Sequence, residues 1–177
     1  MANRVYVAVS LDGYLARTDG SVDWLDRYGE GAETDYGYGE FVSAVDAIVM
    51  GRRTYESVLR LSPGRWPYSK PVFVLSSVLP AAQDERRRLQ ILCLPPAQLV
   101  DHLAVSGYTD LYIDGGTTIQ RFLAEGLIDE MIVTTVPLIL GSGISLFAAG
   151  SSQIDLEHME TRIFQKGLVQ SRYRRLR

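Results

Sequence analysis

The stretch Leu111-Tyr112-Ile113-Asp114-Gly115-Gly116-Thr117-Thr118 decides the fold, because it has the composition of a strand that turns directly into a helix. Its first three residues favour β-structure, and apolar residues recur at helical spacing in the segment 119–125. The two glycines allow a tight turn and a close approach of another group, and the two threonines are suited to cap the helix. The free N–H groups and positive dipole of such a helix start suit a phosphate, although a turn that only packs would have the same sequence.

Length and composition are those of a soluble globular protein. The chain has 177 residues, of which 46% are hydrophobic and 22% charged, so we expect a single domain over residues 1–177. The net charge of −3 gives no reason to expect a nucleic-acid partner. No segment approaches the ~18 consecutive apolar residues of a membrane span, so no membrane association is expected.

Cysteine and histidine are rare in the chain. The single cysteine, Cys93, excludes an internal disulfide and fits a reducing compartment; because it lies between two leucines, we expect it to be buried. Asp12 follows the first apolar run too soon for a signal-peptide core, so we expect a cytoplasmic protein. Two histidines and one cysteine give no plausible zinc site, and no metal is expected.

Predicted strands and helices alternate along most of the chain. Short, continuously apolar runs predict strands buried on both faces, at residues 4–10, 47–50, 70–75, 90–94 and 111–113. Helical patterns lie at residues 35–45, 54–61, 95–106 and 119–125. A long strand at 131–140 and a hairpin of 156–165 and 168–176 complete the chain. The predicted fold class is therefore α/β, a mostly parallel mixed central sheet with helices on both faces and a C-terminal antiparallel hairpin.

Three of the predicted strands end in residues that suit phosphate groups. These ends are Gly51-Arg52-Arg53-Thr54, Ser76-Ser77 and Gly115-Gly116-Thr117-Thr118. Ligands of such sheets bind outside the carboxyl ends of the strands. Two helix starts could hold a pyrophosphate, and arginine with serine hydroxyls would suit a further ribose phosphate, as in NADPH. A solvated helix start is the alternative for the two arginines; it is disfavoured because cations oppose the helix dipole there.

Several longer motifs occur in the order of a known family. Residues 10–16 (SLDGYLA), 49–56 (VMGRRTYE), 114–130 and 137–141 (PLILG) carry them. The second motif resembles the cofactor-binding helix start of dihydrofolate reductases. The others are similar to the reductase domain of the bifunctional riboflavin-biosynthesis deaminase/reductase and its free-standing relatives. The resemblance to this dihydrofolate reductase-like superfamily covers nearly the whole chain.

The resemblance implies an NADPH-dependent reductase with a small-molecule substrate, commonly a homodimer. It implies that Ala8 and Leu11 border the nicotinamide and that Ser76 and Ser77 lie at the adenosine end. The residues that it implies for the cofactor phosphates are Gly51, Arg52, Arg53 and Thr54, with Gly115, Gly116, Thr117 and Thr118 at the pyrophosphate. Asp12 and Asp114 are the candidate catalytic residues near the substrate; a turn at Asp12 and a helix cap at Asp114 are the alternatives.

Two positions depart from the riboflavin reductases, which carry lysine where this chain has Tyr6 and glutamate where it has Asp114. The leading hypothesis is a 5-amino-6-(5-phosphoribosylamino)uracil reductase-like enzyme that transfers hydride to a ribosylamine or small heterocycle. A dihydrofolate or pteridine reductase is the first alternative; Asp35 is the nearest match to the helix carboxylate that it requires. A nucleotide-binding protein without turnover is the second.

Two further expectations concern a loop and a strand. The segment 19–34 is too long for a simple connection, so we expect a mobile lid in which Trp24 covers a bound ring. The segment 131–140 is apolar on both faces, and Pro137 within it marks an edge or a bulge. An uncovered strand of this kind predicts a homodimer through the C-terminal strands.

Overall fold

The computed structural model describes residues 1–31 and 34–176. Its strands are β1 (Ala2–Ser10), β2 (Tyr14–Ala16), β3 (Ala47–Gly51), β4 (Val72–Leu75), β5 (Ala82–Asp84), β6 (Leu89–Leu92), β7 (Asp110–Asp114), β8 (Glu130–Val136), β9 (Ile144–Ser145), β10 (Leu156–Ile163) and β11 (Val169–Arg175). Its helices are α1 (Asp26–Gly29), α2 (Tyr38–Ser43), α3 (Arg52–Leu61), α4 (Pro96–Val105) and α5 (Gly116–Ala124), with short 3-10 turns at Asp23–Leu25 and Gln165–Gly167.

The main sheet has nine strands in the order β10-β11-β8-β1-β7-β3-β4-β6-β5. The six strands from β8 to β6 are parallel to one another. β5 is antiparallel to β6, and β11 is antiparallel to both β8 and β10. The small strands β2 and β9 pair separately. The predicted fold class, a mostly parallel mixed sheet with a C-terminal hairpin, is confirmed.

The sheet is covered on both faces because the middle of each central strand is a run of apolar residues. On one face, Val5 and Val7 of β1 pack with Leu103 of α4 and Phe122 of α5. On the other face, Tyr6 points towards α2, where Phe41 packs against Ile48, Met50 and Tyr112. This alternation along β1 follows from the two-residue period of a strand. Because β1, β7 and β3 are parallel neighbours, their carboxyl ends lie together at one edge of the sheet.

Residues 24–30, within the predicted lid, are held in place mainly by apolar packing. Trp24 is 6% exposed and packs with Tyr28, Val136 and Leu168. Lys166 reinforces the contact, since its Nζ donates to the carbonyl oxygens of Arg27 and Glu30. The expectation that Trp24 covers a bound ring is therefore wrong: this indole is part of the core. Residues 32 and 33 of the predicted lid lie outside the described residues.

The predicted long strand at 131–140 is also corrected. β8 ends at Val136, directly before Pro137, which has no N–H for a sheet. Leu138 then packs against the cluster around Trp24, and its carbonyl oxygen accepts a bond of 2.8 Å from the Leu11 amide. β8 itself lies between β1 and β11, whereas β10 forms the edge of the sheet and is exposed along its whole length.

Candidate functional site

Two helix starts lie side by side at the carboxyl edge of the sheet. α3 begins directly after Gly51 and α5 directly after Gly115, and β3 and β7, which precede them, are neighbours. Neither start has a side-chain cap or an acidic residue in its first turn. The prediction that Thr117 and Thr118 cap α5 is therefore wrong, because both lie inside its first turn. Uncapped N–H groups at a positive helix end are suited to bind an anion.

The two turns are packed against each other through threonine hydroxyls. A Cβ atom added at Gly115 would lie 2.2 Å from Oγ1 of Thr54, and one added at Gly51 would lie 2.7 Å from Oγ1 of Thr118. At Gly116 an added Cβ would meet Ile144 at 3.0 Å. Both glycines are thus required by the close packing of the two turns, and each helix start is positioned by the other.

A cleft of about 590 Å³ opens beside these turns. Its walls come from β1, the end of β7, one face of α3, and the segment that runs from β2 towards Leu25. The residues that line it include Tyr6, Ala8, Leu15, Thr18, Val22, Leu25, Arg53, Thr54, Ser57, Arg60, Asp114, Gly115 and Gly116. The structure therefore brings together six residues that the sequence predicted for the site: Ala8, Arg53, Thr54, Asp114, Gly115 and Gly116.

Three carboxylate residues line this cleft, Asp19, Glu56 and Asp114, and Asp114 is the one directly before the start of α5. It ends β7, and its Oδ1 accepts a bond of 2.8 Å from the Gly115 amide. Burial raises the pKa of the Asp114 carboxyl from 3.8 to about 6, against the smaller lowering effect of that bond. A carboxyl with this pKa holds a proton close to neutral pH, which is what a general acid requires.

Asp12 lies outside the cleft, in the turn after β1. Its Oδ1 accepts bonds from Ser10 Oγ (2.6 Å) and the Leu140 amide (3.0 Å), and its Oδ2 accepts one from the Gly141 amide (2.7 Å). These bonds, led by that from Ser10, lower the pKa of Asp12. The geometry favours a role in fixing the loop after β8, and a substrate contact for Asp12 stays a prediction. Leu11, beside it, is 64% exposed.

The two adjacent arginines point into different pockets. Arg53 lines the cleft, whereas Arg52 lines a second pocket of about 410 Å³ with Ser76, Ser77 and Arg121. Arg52 also forms an ion pair of 2.8 Å with Glu56. The hydroxyl of Ser76 accepts bonds from the amides of the next turn, at 3.1 and 2.8 Å. Of the pair, Arg52 is therefore the one placed for a group bound by the serines.

Three features of the site were not predicted from the sequence. Ser57 and Arg60 line the cleft beside Arg53, and their positions at i+4 and i+7 on α3 are the signal that could have found them. Cys93 is exposed at the second pocket, so the expectation of a buried cysteine is wrong. Tyr6, which stands where the riboflavin reductases have lysine, has a fully engaged hydroxyl: it donates to the Tyr36 carbonyl at 2.9 Å and accepts from Gln170 at 3.2 Å.

An open sheet with β7 at its centre, paired helix starts at its carboxyl edge and a C-terminal antiparallel hairpin defines a dihydrofolate reductase-like α/β protein. Within that class, the chain belongs to the RibD C-terminal domain family, whose model matches residues 4–170.

Individual relatives agree with this family. The uncharacterized protein YwjB of Bacillus subtilis (strain 168) is 37% identical over 163 residues, which cover 90% of each chain. A crystal structure from Shewanella sp. PV-4, of a protein provisionally assigned to riboflavin biosynthesis, superimposes with a TM-score of 0.92 at 39% identity and full coverage of both chains. The riboflavin biosynthesis protein RibD of Mycobacterium tuberculosis (strain H37Rv) is 29% identical over 150 residues, 78% of this chain and 42% of that protein.

Two other kinds of feature are absent from the described part of the chain. No helix within 1–31 and 34–176 has the length and apolar character needed to cross a membrane. Over the same ranges, no group of three or more His, Cys, Asp and Glu side chains is arranged to hold a metal ion.

Proposed function

We propose that this protein is a cytoplasmic NADPH-dependent reductase of the riboflavin-biosynthesis type, which reduces 5-amino-6-(5-phosphoribosylamino)uracil or a close analogue. One observation carries the proposal: a carboxyl group whose pKa is raised to about 6 lies in a cleft directly beside two uncapped helix starts. An anion site next to a proton donor suits a reductase with a nucleotide cofactor. Membership of the RibD C-terminal domain family supports the same class of oxidoreductase.

The residues present fit a dinucleotide phosphate. Gly51 and Gly115 let the two helix starts pack closely, because a Cβ at either position would meet a threonine of the other turn. The uncapped N–H groups that follow the two glycines would hold the pyrophosphate. Arg52, with Ser76 and Ser77, would bind the ribose phosphate that distinguishes NADPH from NADH. When bound, NADPH supplies the hydride. The protein's own part is to orient the two reactants and exclude water.

Asp114 would supply the proton that accompanies the hydride. Its carboxyl is protonated below about pH 6 and shares the cleft with Arg53 and Arg60. Those two guanidinium groups lie on the α3 wall and suit the phosphate of the substrate. The substrate would then extend from the arginines at one side of the cleft to Asp114 at the other.

The dihydrofolate reductase alternative requires a carboxylate on the first helix, and the nearest is Asp35. Its two carboxylate oxygens accept bonds from the amides of Gly37 (2.9 Å) and Gly39 (2.8 Å), and it does not line the cleft. This geometry weighs against dihydrofolate. The second alternative, nucleotide binding without turnover, differs from the proposal only in its kinetics.

The test is NADPH oxidation, followed at 340 nm, with 5-amino-6-(5-phosphoribosylamino)uracil and, separately, with dihydrofolate. We expect turnover with the aminouracil only. Turnover with dihydrofolate alone would reject the proposed substrate. Tight NADPH binding, measured by tryptophan fluorescence, without oxidation in either reaction would identify a binding protein.

We also propose a homodimer, with its interface at the hairpin of β10 and β11 and not at the segment 131–140. β10 is the edge of the sheet, and it exposes Leu156, Met159 and Ile163. Exposed apolar edge strands favour pairing with a second copy. We expect light scattering to give the dimer mass at tens of micromolar, and Met159→Lys to shift the mass towards the monomer. A monomeric wild type would reject this part.

A further inference from the structure

Two tyrosine hydroxyls beside the cleft differ from the others nearby. Tyr6, Tyr36 and Tyr112 each donate to a backbone carbonyl, at 2.9, 2.8 and 3.0 Å. In the described part of the chain, the hydroxyls of Tyr38 and Tyr68 have no hydrogen-bond partner. Of the two, Tyr38 is 37% exposed and Tyr68 is half-buried. Donors of this kind gain a protein–ligand bond when a polar ligand binds next to them.

Tyr38 and Tyr68 converge from two separate segments. Tyr38 begins α2, and Tyr68 lies in the connection between α3 and β4; together they line a side pocket of about 480 Å³. The ring of Tyr38 contacts that of Tyr6 with centroids 5.5 Å apart, and Tyr6 lines the main cleft. The rings of Tyr6 and Tyr38 therefore lie between the side pocket and the cleft.

Both hydroxyls lie within electrostatic reach of Asp114. Burial first, and then the charge of Asp114, raises the pKa of Tyr38 to about 12 and raises that of Tyr68 as well. Both phenols consequently stay protonated at neutral pH and can donate as well as accept. The cation of this pocket, Lys70, is engaged with the carbonyl oxygens of Val45 (2.7 Å) and Ser43 (3.3 Å).

We propose that Tyr38 and Tyr68 are specificity-determining residues, whose hydroxyls bind the polar edge of a flat pyrimidine-type ring next to Asp114. This inference rests on the proposed reductase function and adds the orientation of its substrate. Neutral donors and acceptors with aromatic faces suit a heterocycle, whereas the guanidinium groups of Arg53 and Arg60 suit a phosphate. The ring therefore points to the tyrosines and the phosphate to α3.

The experiment compares Tyr38→Phe and Tyr68→Phe with Tyr55→Phe. Tyr55 is the matched control, because it belongs to the same aromatic cluster. Its ring centroid lies 6.3 Å from that of Trp66, and the centroids of Trp66 and Tyr68 are 5.3 Å apart. We expect each of the first two variants to raise KM for the aminouracil substrate about 3- to 10-fold, with kcat and the Kd for NADPH within about 2-fold. Tyr55→Phe should change none of these quantities.

Two smaller ligands distinguish binding of the ring from binding of the phosphate. The affinity for 5,6-diaminouracil, measured by calorimetry, should fall in Tyr38→Phe and Tyr68→Phe as KM rises, while that for ribose 5-phosphate should stay constant. Unchanged diaminouracil affinity in both variants would overturn the inference. Diaminouracil binding that depends on the tyrosines, without any NADPH oxidation, would reject the proposed reductase and leave the ring site standing.

Discussion

The turns β3–α3 and β7–α5 share one pattern, an apolar strand that ends in glycine and leads into an uncapped helix, but their chemistry differs. Gly115 has φ +89° and ψ 132° and is preceded by Asp114, whereas Gly51 has an ordinary extended backbone with φ −82° and is followed by two arginines. One turn contributes unusual backbone and a carboxyl group, and the other contributes positive charge.

This difference shows that the two glycines are needed for different reasons. At Gly115 both the backbone conformation and the space are unsuited to a side chain, because Thr54 lies directly above it. At Gly51 any residue could adopt the backbone, and only the hydroxyl of Thr118 opposes a Cβ. The two turns look alike in sequence, but we expect Gly51 to tolerate substitution better than Gly115.

The largest effect is expected for Gly115→Ala. A residue other than glycine in this conformation costs about 1–3 kcal/mol, and contact of the new Cβ with Thr54 adds to that cost. We expect the free energy of unfolding, measured in urea, to fall by about 3 kcal/mol or more. NADPH binding should be lost in the fraction that stays folded.

Gly64→Ala is the matched control for this change. Gly64 also has a positive φ, +73°, but a Cβ added there meets nothing within 4 Å. The free energy of unfolding of this variant should fall only by the conformational cost, about 1–2 kcal/mol. NADPH binding should be unchanged. Equal losses in the two variants would show that the packing between the turns contributes nothing.

The carboxyl group of the β7–α5 turn gives the second prediction. If Asp114 donates the proton, Asp114→Asn lowers kcat by about 100-fold or more. In the wild type kcat should fall as the pH rises through about 6, since the protonated form is the active one. The variant should lose this dependence, and a kcat profile that keeps it would assign the proton to another group.

The Asp114→Asn substitution should change stability in the opposite direction to activity. The folded-state pKa of Asp114, about 6, is above the ordinary 3.8, so the folded protein binds this proton more tightly and loses stability as the pH rises from about 4 to 6. Asp114→Asn removes that loss and should stabilise the protein by about 1–3 kcal/mol at pH 8 and not at pH 4. Asp35→Asn is the control, because amide bonds from Gly39 and Gly37 lower the pKa of Asp35; it should destabilise at pH 8.

The strands at the centre of the fold could be predicted because their signal is local. β1, β3, β4 and β7 are continuous apolar runs, and burial on both faces requires that composition. The helix starts were misplaced by two or three residues, since Gly51 and Gly115 cap with backbone geometry alone and carry no capping side chain. Strands β2 and β9 have 3 and 2 residues, which is too short for a period to be visible.

The remaining errors come from contacts between distant parts of the chain. Trp24 is buried by Val136 and Leu168, more than a hundred residues away, so its polar neighbours in sequence indicated a surface loop. The same limit applies to the site: Asp114 and Gly115 were visible as one motif, whereas Tyr38 and Tyr68 come from two segments that nothing in their sequence connects. Arg52 and Arg53 were predicted together, but adjacent positions on a helix face different directions.

The different directions of Arg52 and Arg53 give the third prediction. Charge-assisted hydrogen bonds contribute about 1.5–3 kcal/mol, so Arg52→Ala should weaken NADPH binding about 10- to 100-fold and leave NADH binding nearly constant. Arg53→Ala should change the two affinities equally, because it faces the cleft. Tryptophan fluorescence gives all four constants. A loss of selectivity in Arg53→Ala instead would place the ribose phosphate in the cleft.

The smallest effect is expected for Gly51→Ala, and it should be reversible by a second change. The new Cβ would lie 2.7 Å from Oγ1 of Thr118 and would meet no other heavy atom within 4 Å, so we expect a loss of about 1 kcal/mol. Thr118→Ala removes the opposing hydroxyl, and the double variant should therefore be more stable than the sum of the single losses predicts. A double-mutant cycle in urea measures this coupling. Additive losses would mean that the two turns do not position each other at Gly51, and that only the contact between Gly115 and Thr54 joins them.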